Sequence, residues 1–410
     1  MAYKGGLIGN DNLYVPDAPT IGTATAGDQQ ISIAFTTPSD VGNDDVTGFV
    51  ATAFTGSTAI GATGTSSPIV ITGLTGSTAY TVSVAAINDY GTGPYSSASN
   101  SATPYAAAPS GYAWFIGGGI SDAADYKSID ILNIASTGNA TDFGDAVDGT
   151  AYYQVGAGSA SRGLIFGGNG DKDLIQYFEF NTTGSAATFG SLSEEINNGM
   201  ATGSSTRAVR GGGLKHGGAG NSNVMEYVTI ANTGDATDFG DLTVARYGNS
   251  GQANSTTRGM FMNGIPSSSN SDVVDYITIA STGNATDFGN TISAYRSACS
   301  TSSATRAVIA GKNFGNIPNG ATNTKDIDYF TIASTGNATD FGELITNYSD
   351  QGAGASNKTR GVFAGGFGGS WTNVIEYITI ASTGNATDFG DLTVIRSRLA
   401  SAANAHGGIA

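Results

Sequence analysis

Apolar and polar positions alternate in short runs over most of the chain. QISIAF (30–35), TGFVATAF (47–54), PIVITGL (68–74) and AYTVSVAAIN (79–88) carry apolar side chains at about every second position. A period of two belongs to a strand with one buried face. The breaks SDVGNDD (39–45), TGSTAIGATG (55–64) and DYGTGP (89–94) are rich in turn-forming residues. About seven short strands in some 90 residues predict a β-sandwich over 16–104. The prolines of VPDAP (15–19) suit its edge. Residues 1–15 are polar and Gly-rich, with isolated Tyr3, Leu7, Ile8 and Leu13. They are expected to be an arm, either disordered or ordered by docking on a partner.

After a linker at 105–111 the pattern becomes a repeat that runs over 112–410. Its fullest form is TRGVFAGG followed by NVIEYITIASTGNATDFGDLTVIR. The phase is marked by Phe143, Phe189, Phe239, Phe288, Phe341 and Phe389, spaced by 46, 50, 49, 53 and 48 residues. A period in this range with several strands per unit predicts a six-bladed β-propeller. Each unit reads as a small-residue strand, a strand like RGVFAGG, a strictly alternating strand like VIEYITIA, a turn STGNATDFG, and a short outer strand FGDLTV. The repeat opens at GYAWFIGGG (111–119), a second strand with no first strand before it. It closes on RSRLASAANAHGGIA, which supplies that first strand. The overlap is expected to close the ring and remove free edges.

Arg162, Arg207, Arg258, Arg306 and Arg360 open the second strands. Gln176, Glu226, Asp275, Asp328 and Glu376 recur in the third. The expectation is one Arg–carboxylate bridge per blade, weaker where Gln176 is neutral. The Asn and Asp of the NATD turns are expected to cap backbone rather than bind calcium, because one unit has Ser185 and Thr188 there.

Two resemblances follow from these residues. The stretch ITGLTGSTAYTVSVAAINDYGTGPYS resembles the second half of a fibronectin type III domain, through Leu74, Tyr80, Val82, Val84, Ala86, Asn88, Gly91, Gly93 and Ser96. It implies that Tyr80 is a corner tyrosine with its hydroxyl bonded to backbone, and that Phe35 replaces the family's early core Trp. Such domains act as spacers and interaction modules. The double glycines and third-strand tyrosines resemble kelch repeats, with the Phe of DFG in place of the kelch Trp. The fold class expected is therefore all-β: a fibronectin type III sandwich plus a six-bladed kelch-like propeller closed by the C-terminal strand.

Composition narrows the function. Lys and Arg number 17 against 33 Asp and Glu, a formal net charge of −16, with no basic run to bind nucleic acid. One cysteine, Cys299, cannot form an internal disulfide, and in SACSTSS it reads as a packed thiol. No apolar run is long enough to span a membrane, and the N-terminal segment lacks a signal-peptide pattern. With two histidines, His216 and His406, no multi-histidine metal site is expected. No catalytic set, cofactor or metal is nominated. The DFG steps lack a kinase context.

What varies between units is the connection from second to third strand: GGNGDKDL, GGGLKHGGAGNSN, NGIPSSSNSD, GKNFGNIPNGATNTKD and GGFGGSWTN. Variable loops on a regular scaffold are where binding concentrates. They nominate Tyr126, Lys215, His216, Phe314, Asn316, Phe367 and Trp371 as a ligand-binding face suited to glycans. The order of spacer and near-identical repeats resembles fibronectin-plus-repeat proteins of marine phages. The function expected is a non-enzymatic virion protein: a tail or neck appendage, fibre or capsid decoration. It would be exposed on the particle, joined to other virion proteins through its arm or sandwich, and turned toward a host glycan or protein. Whether it self-associates on the particle stays open. The alternatives are a bacterial surface or secreted carbohydrate-binding adhesin, then a propeller glycosidase or lyase.

Overall fold

The computed structural model describes residues 14–27, 29–76, 78–104, 111–121, 124–125, 127–147, 152–169, 172–248, 253–313, 324–347 and 352–409. Two compact units divide the chain, Met1–Ala107 and Ala108–Ala410. Of the arm expected over 1–15 only Tyr14 and Val15 are described, and of the linker over 105–111 only Gly111.

The first unit consists of two antiparallel sheets. One joins β1 (Thr20–Gly27), β2 (Gln30–Thr36) and β5 (Ile69–Thr72). The other joins β4 (Thr58–Gly64), β3 (Gly48–Thr55), β6 (Thr81–Asn88) and β7 (Gly91–Thr92) in that spatial order. The alternating positions meet in one core of Ile31, Ile33, Phe35, Phe49, Ile71, Val82, Val84 and neighbours. Phe35 and Phe49 pack with ring centroids 4.7 Å apart. Tyr80 is buried, and its hydroxyl accepts the Thr75 N–H at 3.1 Å. Asn88 donates from Nδ2 to the carbonyls of Val41 and Tyr14, so Tyr14 belongs to this unit. Gly93 is required by close approach, since a Cβ there would lie 2.1 Å from the Pro16 carbonyl oxygen.

The second unit contains six antiparallel sheets and a small hairpin, Gly119–Ser121 with Ala124–Asp125. The sixth sheet shows the plan: Ala353–Ser356, Arg360–Ala364, Val374–Thr379, Thr387–Asp391, in that order. The outer strand is TDFGD, shifted toward the turn from the expected FGDLTV. The pairing runs from Tyr377↔Thr387 to Val374↔Asp391, with a register shift between Ile375 and Glu376. The first sheet is completed by the far end of the chain, with Ala400–Ala403 paired against Tyr112–Ile116 from Ala400↔Ile116 to Ala403↔Ala113. The fourth sheet has three named strands, and Asn254 joins it through an isolated bridge to Gly259.

The small-residue strands are buried throughout: Val155–Gly158, Met200–Gly203, Cys299–Ser302, Ala353–Ser356 and Ala400–Ala403. Their size lets neighbouring sheets approach at main-chain distance. Thr202 Oγ1 donates to Ala253 O, the Asn254 N–H to Ser302 Oγ, Ser356 Oγ to Ser302 O, and Ser401 Oγ to Gly354 O.

On the outside, each STG turn bonds to the outer strand of the preceding sheet. Gly184, Gly234, Gly283, Gly336 and Gly384 donate to the carbonyls of Phe143, Phe189, Phe239, Phe288 and Phe341, and Gly138 of the first sheet donates to Phe389 of the sixth. The turn asparagines do cap backbone, but across sheets. Asn139 Oδ1 accepts from Asp391, Asn284 from Asp241, Asn337 from Asn290 and Asn385 from Glu343. The glycine of each DFG step faces the next turn: a Cβ on Gly390 would sit 2.5 Å from the Gly138 carbonyl oxygen.

The expected Arg–carboxylate pairings do not form, although Arg162 pairs with a different acid, Glu179, at 2.5 Å. Arg162 opposes Glu179, whereas Gln176 opposes Ile165, three residues further along the strand. An odd offset puts two side chains on opposite faces of a sheet. The same offset separates Arg207 from Glu226, Arg258 from Asp275, Arg306 from Asp328 and Arg360 from Glu376. Each arginine instead lies over the third-strand tyrosine on its own face, with the guanidinium carbon 4.1–4.7 Å from the ring centres of Tyr177, Tyr227, Tyr276, Tyr329 and Tyr377. Its Nη1 donates to a carbonyl of the next sheet: Ile230, Ile279, Ile332, Ile380 and, from Arg360, Ile134. The acids face the preceding sheet. Glu226 accepts from the Ser193 N–H, Asp275 from Thr243, Glu376 from Ile345 and Thr346, and Asp130 from Thr393. Their cations come from other positions. Arg246 reaches Asp275 and Arg396 reaches Asp130, both at 2.8 Å and fully buried, while Lys312 reaches Asp328 at 2.6 Å.

The C-terminal residues cross the small-residue strands. Asn404 Oδ1 accepts the N–H groups of Gly111 and Tyr112. His406 is wholly buried; its Nε2 donates to Gly158 O at 2.8 Å, and its Nδ1 accepts the Gly408 N–H at 3.1 Å. A Cβ on Gly407 would meet the carbonyl oxygens of Ser303 and Asn254, and one on Gly408 that of Gly203.

Candidate functional site

At the other end of the small-residue strands, where the chain approaches them, is a cavity of about 510 Å³. It is lined by Tyr153, Asn169, Asn197, Asn198, Leu214, Tyr247, Arg296, Ser297 and Arg398. This volume suits a small ligand. The contributions come from many sheets. Tyr153, Asn198, Ser297 and Arg398 each stand two residues before a small-residue strand, those starting at Val155, Met200, Cys299 and Ala400. Asn169 lies just beyond the second strand of its sheet, and Leu214 lies near the end of another.

Tyr153, Asn198, Ser297 and Arg398 share a backbone feature: φ values of 63°, 52°, 51° and 62°. Left-handed backbone costs an L-residue with a side chain about 1–2 kcal/mol. Main-chain bonds between the sheets hold it in place. The Tyr153 N–H donates to Arg398 O, the Asn198 N–H to Tyr153 O, and the Gly248 N–H to Asn198 O at 2.9 Å. Four strained positions converging on one cavity mark it as the functional candidate of this unit.

Its chemistry is cationic and amide-rich. The Arg398 guanidinium lies 4.8 Å from the Tyr153 ring centre and 5.5 Å from that of Tyr152. Tyr152 in turn is hydrogen-bonded through its hydroxyl to Asn169 Nδ2. Asn198 Nδ2 donates to Asn197 Oδ1 at 3.0 Å. Arg296 is bound through its backbone to Asn313, leaving the guanidinium half-exposed and bonded to no described residue. Among the described residues the lining contains no Asp, Glu or His. It offers hydrogen-bond donors and ring faces for binding.

The residues nominated from sequence fare differently. Tyr126, Phe314 and Asn316 lie outside the described residues. Lys215 and His216 do not enter the cavity. Lys215 Nζ pairs with Glu194 at 2.8 Å, and His216 Nδ1 lies 3.3 Å from Glu195. Phe367 and Trp371 pack against each other at a tilt within one connection, ring centroids 5.1 Å apart, with Trp371 40% exposed. Lys215 and His216 belong to the third sheet and Phe367 and Trp371 to the sixth, and no contact among the described residues joins the two pairs. Asn169 in GGNGDKDL and Leu214 in GGGLKHGGAGNSN are where the variable connections reach the cavity.

Cys299 is buried, and burial pushes its thiol up to about 12, which leaves it protonated and inert. Among the described residues no cluster of His, Cys, Asp and Glu could hold a metal ion, and no helix is long and apolar enough to cross a membrane.

Comparison with known proteins assigns the first unit. Residues 17–102 match the fibronectin type III domain model. The first unit is a fibronectin type III domain. Its buried Tyr80, bonded through the hydroxyl to Thr75, is the corner tyrosine implied by the resemblance. The exposed aromatics among the described residues of this domain are Phe54 in β3, Tyr90 just before β7 and Tyr95 after it. No curated protein matches the chain.

Proposed function

We propose that residues 112–409 are one six-bladed propeller of kelch-like build, closed by the C-terminal strand, and that it binds saccharide on a host cell surface. The fibronectin type III domain is the spacer that joins it to a bacteriophage particle. Three observations support the propeller: the pairing of Ala400–Ala403 with Tyr112–Ile116, the outer bonds that run from every sheet to the next and from the sixth to the first, and the Arg360 bond to Ile134. The observation that carries the binding role is the convergence of four left-handed, non-glycine residues on one cavity of tyrosine, amide and guanidinium groups. Rings stack on sugar faces, and amides pair with hydroxyls.

Two experiments test this. Mass spectrometry of purified virions detects the chain if it is a particle component; recovery only as free soluble protein refutes the particle role and favours a surface or secreted adhesin. A glycan array followed by product analysis separates binding from turnover, and released product would make the protein a glycosidase or lyase.

A further inference from the structure

We infer that the cavity at the approach to the small-residue strands recognises a carboxylate-bearing sugar, with Arg296 and Arg398 holding the carboxylate and Tyr153 and Tyr247 presenting ring faces to the sugar. The inference rests on the saccharide-binding reading above and specifies its ligand class.

Charge placement is the first ground. The chain has 33 acidic residues against 17 lysines and arginines. Its repeated arginines are spent on tyrosine rings and neighbouring carbonyls, and Arg246 and Arg396 on buried aspartates. Among the described residues the cavity nevertheless gathers two guanidinium groups and no carboxylate. In an acidic protein such a site concentrates an anion locally and rejects cations.

The state of the two arginines is the second ground. Arg296 is half-exposed at the cavity, and its guanidinium bonds to no described residue. Arg398 is held against Tyr152 and Tyr153, on left-handed backbone. A planar guanidinium offers paired N–H donors that match a carboxylate in bidentate fashion. Holding the fork in place beforehand lowers the ordering cost of binding.

The remaining lining argues for a sugar rather than a bare anion or a peptide. Asn169, Asn197 and Asn198 supply amide donors and acceptors, and Tyr247 has a hydroxyl bonded to no described residue. A phosphate or sulfate would leave the amides and rings unused. The cavity is compact, at about 510 Å³, which suits one or two monosaccharide units better than an extended acidic segment.

The test uses the full chain, titrated calorimetrically with 3′-sialyllactose and lactose, and with a glucuronate-containing oligosaccharide and its carboxyl-reduced form. An aspartate- and glutamate-rich peptide is the control. The expected result is that at least one acidic sugar binds while its neutral partner does not, with affinity falling as salt rises. Arg296→Gln should weaken that binding about 10- to 100-fold, the range for a lost charge-assisted bond. Its melting temperature should stay unchanged, because the side chain supports nothing else. Arg398→Gln should also weaken binding, with folding checked by circular dichroism. Neutral sugars bound as tightly as acidic ones would overturn the inference and leave the saccharide reading intact. Acidic binding that is indifferent to both arginine changes would overturn the choice of site. Binding of the peptide alone, or of no probe, would overturn the ligand class, and a glycan array empty of hits would overturn the saccharide reading with it.

Discussion

His406 makes the second unit sensitive to mild acid in a way that can be calculated. Burial is the main reason its pKa falls to about 4; the bond to the Gly158 carbonyl opposes the fall only in part. In the unfolded chain a histidine titrates near 6.5. The folded value is therefore the lower one, so the stabilisation is whole above about pH 6.5 and is lost as pH falls through 4. A gap of about 2.5 units corresponds to roughly 3 kcal/mol in all, of which about 2 kcal/mol has gone by pH 5. The structure shows why. Protonated Nδ1 could no longer accept the Gly408 N–H, although Asn254 Oδ1 at 3.1 Å would recover part of the loss, which makes the figure an upper one. The assay is urea unfolding followed by tryptophan fluorescence. Both tryptophans, Trp114 and Trp371, lie in the second unit, and buried Trp114 stacks 3.8 Å from Phe180. Wild type and His406→Gln are compared at about pH 7.5 and pH 5. Carboxylates contribute equally to both proteins, so the difference of differences isolates the histidine. Wild type should lose about 2 kcal/mol more than the variant between the two pH values. Equal losses would refute the reasoning.

Other changes probe the joints between sheets and the cavity. Arg360→Ala removes the contact with Tyr377 and the bond to Ile134 O, and should cost about 2 kcal/mol in urea unfolding, with Arg360→Lys recovering only part. Gly390→Ala drives a Cβ to 2.5 Å from a main-chain oxygen and should cost roughly 3 kcal/mol or more; Gly56→Ala, also left-handed but in open space, should cost about 1 kcal/mol by thermal melting. Ser297→Gly relieves a left-handed serine and should raise stability by roughly 0.5–1 kcal/mol by the same measurement. Cys299 should resist thiol reagents in the native protein and react once urea unfolds it, followed by mass spectrometry.

Strands and repeat were legible in the sequence because they are encoded by periods, and every unit restates them. The small-residue strands, the turn glycines and the outer phenylalanines occupy equivalent places in six units, so their role could be inferred without coordinates. The arginine and acid rows were also visible, but their pairing was not. Proximity in the motif suggested a bridge, while the parity of the offset puts Arg360 and Glu376 on opposite faces. Of the true cations, Arg246 and Arg396 share one place, seven residues after the DFG phenylalanine, whereas Arg210 and Lys312 come from different points of the second strands and do not align.

The cavity was missed for the opposite reason. Loops that change length drew attention to Lys215, His216, Phe367 and Trp371, whereas the cavity takes only Asn169 and Leu214 from those loops and most of its lining from the approach to the small-residue strands. A faint signal existed in the dipeptides before the small-residue strands: Tyr152–Tyr153, Asn197–Asn198, Arg246–Tyr247, Arg296–Ser297 and Ser397–Arg398. Bulky, polar residues there interrupt an otherwise small and apolar approach. Four of them share one left-handed backbone position, two residues before the strand. All four line the cavity with different side chains. Main-chain bonds from Arg398 to Tyr153, Asn198 and Gly248 hold the geometry without using any side-chain atom. Specificity can therefore change by substitution at these positions while the strands, the turns and the joints between sheets stay as they are.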